Sequence, residues 1–544
     1  METKPSSFCS LSTKATAHEL ELLLGTLSLY HADAKVYCMV DTYTHEYLKF
    51  LWFNKTLNIT YFNCLDAYTN KTRTSMEAAK EVTEFWNYKN RLMEVVLEHE
   101  NDTLFLDADQ VVLNEIKLPN KDKKLGLSRQ NIPIKNSLQT GYYNAGFVWC
   151  SDKIIPKYWR RLNEESSYVD QKSLEMLKLY FMDDTFEFGD NYNLMPWTKM
   201  LNAESKEDFG KRFLLHEGQL FYNFKKLTTI HTHFTDQRFK EFNETILHLL
   251  TKKKSYRELA LIYKCLNGFF TITVPKQPRS GIYGHANDSF RELVYLASKA
   301  DRPEFILNES TTTNHCWLEP SILLNDRPTL EWVDNEYQHS HCIMLGNGDI
   351  NVEGKCLEQY ASVKPWIFWP RSPQLLESYL KKNGIQNFGN RKHLCTFIGN
   401  IENSVQEKHR KKFNSFENFC DVYELSLGSR HKYSKFEYMD ILGHSKFGLC
   451  LQGYGKKCHR EIECMALGTV PVLHENIPAH SYADPLVEGI HYLKVKDRQS
   501  NSFLKEVTED KWVNMSNACH DWYLRNVHSN SFFEATLNTV LSKS

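Results

Sequence analysis

Leu104-Phe105-Leu106-Asp107-Ala108-Asp109-Gln110 sets two carboxylates one residue apart at the end of an apolar run that begins at Thr103 and resumes as Val111-Val112-Leu113. Continuous apolar runs of this length read as strands buried on both faces, so the stretch predicts a central strand with Asp107 and Asp109 at its tip. Alternate strand residues share a face, which lets both acids reach one ion. Carboxylates are costly in a core but suit a hard divalent cation such as Mg2+ or Mn2+, which takes oxygen ligands and often shares them with substrate phosphates. Alone, the spacing equally fits a strand-end turn with two solvated acids.

Outward from this strand, the first half alternates strand-like and helix-like segments. Strands are expected at 8–11 and 35–40, an amphipathic helix at 17–29, and a long helix at 75–98 leading into the Asp107 strand. Strands at 124–128 and 141–149 follow, with helices around 156–162 and 171–179. That order predicts an α/β fold with a largely parallel sheet. Ligands of such sheets bind beyond the carboxyl ends of the strands, where Asp41, Asp107 and Asp109 all fall. Near Lys252-Lys253-Lys254 the pattern changes to a helix, a strand at 269–274 and the Pro/Gly/Lys segment 275–281, which reads as a domain entrance. Strands near Phe305, Ile343 and Ile367, then at 394–398, 447–451 and 469–473, describe a second α/β unit, with the option of two halves around a cleft. The expected organisation is therefore a first domain at 1–250, a connecting helix and linker at 251–281, and a second domain at 282–544.

A chain of 544 residues exceeds one ordinary core. With 42% hydrophobic residues, 24% charged residues and a formal net charge of −1, it lacks the electrostatic footprint of a nucleic-acid binder. No window spans a bilayer, and Met1-Glu2-Thr3-Lys4-Pro5 lacks the basic and apolar parts of a signal peptide, so a cytoplasmic location is expected. The 14 cysteines are scattered, without C-x-x-C spacing. Several, such as Cys38 and Cys450, fall in expected strands as small reduced hydrophobes.

Three motifs then occur in order: Phe105-Leu106-Asp107-Ala108-Asp109, Asn144-Ala145-Gly146-Phe147 and Asp170-Gln171. Together they resemble the D-x-D, N-[AT]-G-[VF] and D-Q motifs of GT-A nucleotide-diphospho-sugar glycosyltransferases, close in style to the glycogenin-like group. The resemblance spans residues 1–240 and implies a GT-A fold, a Rossmann-like mixed sheet. It also implies Mn2+ (or Mg2+) held by Asp107 and Asp109 against the diphosphate of the donor, with a UDP-sugar favoured and a glycan as acceptor. In that family a late histidine often completes the metal site. The candidates are His231 and His233 in Thr229-Ile230-His231-Thr232-His233-Phe234, which strand alternation puts on one face. The common family form favours His233; either is also readable as an ordinary satisfied polar residue. The Lys-Pro-Trp that usually follows is missing, and Lys364-Pro365-Trp366 in the second half reads as coincidence. Lys89 and Arg91, on the helix before the metal strand, are candidates for reaching the diphosphate or supporting the acids, against the plainer reading of a solvated helix face. Asn144 offers an amide to sugar hydroxyls, and Asp170 is the candidate to orient the acceptor or act as general base. A divalent ion suits the chemistry, since cleaving a sugar-diphosphate bond builds negative charge on the leaving oxygen.

The second half carries Ser445-Lys446-Phe447-Gly448-Leu449-Cys450-Leu451-Gln452-Gly453-Tyr454-Gly455, then Cys458-His459-Arg460-Glu461-Ile462-Glu463-Cys464 and Gly468-Thr469-Val470-Pro471-Val472. This is a strand, a glycine loop, a helix and another strand, a plan that lets backbone amides approach a phosphate. Arg460 and Glu463 share a helix face, for which a surface ion pair is the ordinary reading. The pattern resembles the exostosin-like glycosyltransferases of GT-B type over residues 394–495, starting at Phe397-Ile398-Gly399-Asn400. The resemblance implies Glu463 on the donor ribose, Arg460 on the diphosphate, close approach at Gly453 and Gly455, a further donor contact at Lys456, and no metal cofactor in this domain. Before Leu394 no motif marks an acceptor side or a base.

The combined expectation is a bifunctional glycosyltransferase adding successive sugars to one glycan. A scaffold that binds glycans or nucleotide sugars with only one active domain is the main alternative. A metal-dependent phosphohydrolase would need more acids and histidines near Asp107 than the sequence supplies.

Overall fold

Ser7–Ser12, buried at every position, forms β1, and the next five main elements build outward from it. In this computed structural model the described residues are 3–166, 169–202, 204–216, 219–234, 237–252, 256–275, 284–300, 302, 304–310, 321–324, 342–345, 363–364, 367–400, 416–426, 432–452 and 457–541. The chain divides into two units, Met1–Gly268 and Phe269–Ser544.

In the first unit β2 (Lys35–Val40), β3 (Asn58–Asn63), β4 (Thr103–Leu106), β5 (Gln110–Val112), β6 (Leu125–Arg129), β7 (Tyr143–Cys150) and β8 (Thr185–Phe188) follow β1. Seven of these strands form one sheet in the order β3-β2-β1-β4-β7-β6-β8, with β4 in the middle. β1 is parallel to β2 and β4, and β2 to β3, whereas β7 runs antiparallel to both β4 and β6, so the sheet is mixed. The helices Val82–Val96, Ile154–Glu164 and Val169–Tyr180 bury Leu92, Met93, Trp159, Leu174 and Leu177 against Phe105, Leu127 and Val148. Each such side chain removed from water contributes roughly 1.5–3 kcal/mol, which fixes the sheet under the site.

Two expectations change. The helix at 75–98 is two helices, Arg73–Ala78 and Val82–Val96, because Lys80 turns left-handed at φ 58° between them. The apolar run after Asp109 does not continue the central strand: β5 leaves the large sheet. After a small sheet of β9 (Phe213–His216), β10 (Gln219–Tyr222) and β11 (Lys225–Lys226), the chain returns as β12 (Thr229–His231), which pairs antiparallel with β5. Asp107 and Asp109 therefore sit in the turn between β4 and β5, not on the strand itself.

The second unit contains two parallel five-stranded sheets. The first has β13 (Phe270–Pro275), β14 (Phe305–Ser310), β15 (Ser321–Leu324), β16 (Cys342–Leu345) and β17 (Val363–Lys364) in the order β14-β13-β15-β16-β17. The other has β18 (His393–Asn400), β19 (Val422–Ser426), β20 (Ser445–Cys450), β21 (Val470–His474) and β22 (Leu493–Val495) in the order β19-β18-β20-β21-β22. The unit boundary lies inside the segment 251–281: helix Tyr256–Asn267 belongs with the first unit, where Lys264 pairs with buried Glu21, and β13 belongs to a sheet of the second. The strand expected near Ile367 is β17, at Val363–Lys364. Residues 367–370 run irregularly with Ile367, Phe368 and Trp369 buried, and Pro370 has no backbone N–H to give a ladder.

Arg391 anchors the last sheet. It is 4% exposed, and its guanidinium donates to the carbonyls of Gln386, Ser445 and Leu467 and to Thr469 Oγ1 at 2.8–3.0 Å, with Trp512 stacked at 4.7 Å. Burial pulls its pKa down to about 10. Arg391→Met strands those acceptors and should destabilise the protein by about 3 kcal/mol or more, read as a lower urea midpoint of the full chain.

Candidate active site

The β4–β5 turn and β12 bring an acid and two histidines together. His231 Nε2 lies 2.9 Å from Asp109 Oδ1, and His233 Nδ1 lies 2.9 Å from Asp109 Oδ2. Among the described residues, Asp109, His231 and His233 form the group whose ligand atoms all lie within 4.8 Å of one another. Asp107 Oδ2 stands at 4.0 Å from His231 Nε2. Burial would push the Asp109 carboxyl up, but the two imidazoles against it outweigh that and hold it well below the usual carboxylate range. The turn is held by backbone: Asp107 N donates to Gly146 O, Thr232 N to Asp109 O, and Gln110 Nε2 to Gly146 O. Trp197 walls the pair, with its ring 4.7 Å from His231 and 4.4 Å from His233.

These residues fit a divalent cation. One carboxylate and two imidazole nitrogens converge, and His231 Nδ1 is buried with no hydrogen-bond partner among the described residues. A glycine leaves the room: a Cβ on Gly146 would stand 2.1 Å from Asp107 Oδ2 and 2.8 Å from His231 Cε1. Asn144, two residues earlier and 3% exposed, accepts at Oδ1 from Gly146 N and from Asn193 Nδ2, both at 3.1 Å. The motif residues Asn144 and Gly146, at the start of β7, thus shape the strand beside the acids.

Lys89 supports the acids directly. Its Nζ is 3.0 Å from Asp107 Oδ1 and 3.0 Å from Asp170 Oδ2, with its side chain 6% exposed. Burial opposes its charge, yet the two carboxylates hold the ammonium well above its usual range. Burial pushes the Asp170 carboxyl up against the pull of Lys89. Asp170, 3% exposed, is an ion-pair partner of Lys89 here. Arg91 points elsewhere, to Glu84 at 2.7 Å and over the Tyr88 ring. Helical residues two apart lie about 200° apart around the axis, so Lys89 and Arg91 cannot serve one site together. Sequence reasoning missed Trp197, Asn193 and Gln110, none of which carries a spacing or charge signal.

In the second unit Arg460 and Glu463 take separate partners. Glu463, 3% exposed, accepts from Arg371 N at 2.9 Å and from Tyr438 Oη at 2.7 Å. Arg460 donates to Ile398 O and lies over the Phe397 ring at 4.3 Å, while its Nε is buried without a partner among the described residues. A Cβ on Gly399 would come within 2.7 Å of Arg460 Nη2, so the F-I-G-N stretch makes room for the guanidinium. Gly453, Gly455 and Lys456 lie outside the described residues. Glu461, unnoticed in the sequence, caps its own helix through Cys458 N at 2.8 Å. Burial pushes its carboxyl up to about 8.

The family model described as "RXYLT1 C-terminal domain" matches residues 378–500. Among solved structures, the apo-form glycosyltransferase GlyE of Streptococcus pneumoniae TIGR4 matches at 15% identity over 63% of this chain and 91% of its own, with a TM-score of 0.31. The galactosyltransferase LgtC, in complex with donor and acceptor sugar analogues, matches at 14% identity over 44% of this chain and 94% of its own, with a TM-score of 0.28. Mouse xyloside xylosyltransferase 1 matches at 12% identity over 42% and 97%, with a TM-score of 0.28. The solved structures to which this chain is similar are thus glycosyltransferases by name.

Gly146→Ala should drive Asp107 and His231 apart and weaken any binding of a divalent cation at the Asp109, His231 and His233 group, read by calorimetric titration, while the circular-dichroism spectrum stays that of the wild type. Glu461 gives a pH signature. Its proton is favoured in the folded state, so its contribution to stability is full below the ordinary carboxyl range and is lost as pH rises toward about 8. Glu461→Gln keeps an acceptor for Cys458 N and should flatten the fall in melting temperature between about pH 5 and 8.

Proposed function

We propose that this chain is a bifunctional glycosyltransferase that moves sugars from nucleotide-sugar donors to a growing glycan, with a cation-dependent site in the first unit and a metal-free site in the second. The observation that carries the first half is the convergence of Asp109, His231 and His233 beside Gly146 at the start of β7. Asp107, Asp109, His231 and His233 would hold Mn2+ or Mg2+, and the ion, when bound, supplies positive charge against the leaving diphosphate of a donor for which UDP is the favoured nucleotide. Lys89 holds Asp107 in place through an ion pair, and Asp170 pairs with the same ammonium. Asn144, braced at the start of β7, is the amide assigned to the donor or acceptor hydroxyls.

In the second unit, of GT-B type in this reading, Arg460 meets the diphosphate, Glu463 the ribose, and Gly453, Gly455 and Lys456 close on the donor. A half-buried arginine whose Nε is buried and unpartnered among the described residues, and two parallel sheets, support that assignment. The scaffold reading keeps one specific support: Glu463 is already engaged at both oxygens and serves as a brace. Among the described residues no helix is long and apolar enough to cross a membrane.

Turnover of a panel of nucleotide sugars with Mn2+, by wild type, Asp109→Ala and Glu463→Ala, separates these readings. Each substitution is expected to abolish a different sugar addition, by roughly 100-fold or more in rate for a lost electrostatic group. Loss of every addition from one substitution would indicate a single site. Binding of nucleotide sugar without any turnover would establish the scaffold.

A further inference from the structure

Two thiols meet at one end of the last sheet of the second unit. Cys395 Sγ lies 3.2 Å from Cys420 Sγ, and both cysteines are free. Cys395, in β18, is fully buried in a core with Phe397, Phe416 and Leu449, and Cys420 is half-buried against the same core. Backbone fixes the two segments around them. Asp421 N donates to Cys395 O at 3.0 Å, Asn501 Nδ2 donates to Phe419 O at 2.9 Å, and the parallel register of Thr396 with Val422 begins just beyond. An S–S bond is about 2 Å long, so turning the two side chains closes the remaining distance. The two sulfurs differ in access. Burial, reinforced by the Cys420 sulfur, holds the Cys395 thiol well above its usual range, whereas Cys420 is the one that solution reaches. Cys450 and Cys464 are also neighbours, but both are buried and offer an oxidant no entry.

The geometry points to a dithiol redox site: Cys420 and Cys395 form a disulfide by exchange with a small disulfide oxidant, for which oxidised glutathione is the probe. The Cys420 thiolate attacks one sulfur of the oxidant, whose S–S bond breaks and releases one glutathione. The Cys395 sulfur then attacks the Cys420 sulfur of the mixed disulfide. That S–S bond breaks, and the departing second glutathione takes the Cys395 proton. Two protein thiols are oxidised and one small disulfide is reduced to two thiols, both of which leave protonated. The new bond ties the start of β18 to the segment entering β19 and closes the chain between residues 395 and 420, a constraint that stabilises by restricting the unfolded state. The site is independent of sugar transfer.

Peptide mapping of the folded full chain, after oxidised glutathione and then alkylation of the remaining thiols, tests the site directly. Trypsin releases Cys395 in peptide 393–408 and Cys420 in peptide 413–430, each with that cysteine alone. The two peptides are expected as one cross-linked species that dithiothreitol separates, and the oxidised chain is expected to show a higher urea midpoint than the reduced one. Cys395→Ser should stop the reaction after its first step and leave glutathione on Cys420. Cys420→Ser should abolish both the cross-link and the midpoint shift, and it decides the matter should Cys395→Ser fail to fold by circular dichroism. Separate, alkylated peptides from the oxidised wild type, or glutathione retained on its Cys420, overturn the inference. A cross-link formed in equal yield by the chain unfolded in urea does the same, since the fold would then have no part in pairing these two sulfurs.

Discussion

The pairing of β5 with β12 is the constraint on which the first unit's site depends. Thr229, Ile230 and His231 stand opposite Val112, Val111 and Gln110, and that register alone sets His231 beside Asp109. A slip of one residue would turn His231 to the opposite face, because side chains alternate with a period of two. Gln110 locks the register from the side: its amide donates to Gly146 O at 2.6 Å and its carbonyl accepts from Thr229 Oγ1 at 3.2 Å. Three segments distant in sequence, the acid turn, the start of β7 at Gly146 and the histidine strand, are thereby tied at one residue.

The large sheet explains why this turn is where it is. β4 is flanked by parallel β1 and antiparallel β7, so the chain leaving Leu106 emerges beside the start of β7, where Gly146 lies opposite. A side chain at Gly146 would occupy the space of Asp107 Oδ2. The paired acids and the glycine of β7 are therefore a single packing decision, which is the physical content of two motifs that look independent in the sequence.

How much of this was legible follows from which interactions leave a local trace. The buried strand 103–106, its place in an α/β sheet and the carboxylates at its end were readable because apolar runs and paired acids are local patterns. The departure of β5 was not, since Val111 and Val112 are equally apolar whichever sheet they join. The break at Lys80 left no glycine or proline to announce it. Trp197 was invisible because its role, a wall for two rings, comes from tertiary contact. The choice between Lys89 and Arg91 was available in principle: their angular separation on a helix puts only one of them toward the sheet, and the apolar face of Leu92, Met93 and Val96 together with Lys89 shows which.

Two arginines of the second unit, the buried Arg391 and the half-buried Arg460, are spent differently. Arg391 meets three carbonyls and a hydroxyl and stacks on Trp512, so its donors are spent on holding the sheet. Arg460, one turn from Glu463 on helix His459–Ala466, does not pair with it; Glu463 reaches instead to Arg371 N and Tyr438. The guanidinium of Arg460 is left with one carbonyl, an aromatic face and an unpartnered Nε among the described residues. Burying a charge with its donors unspent is costly unless an anion completes the set. That contrast between two arginines of one fold, rather than the glycine spacing, is the firmer ground for placing the proposed second diphosphate at Arg460.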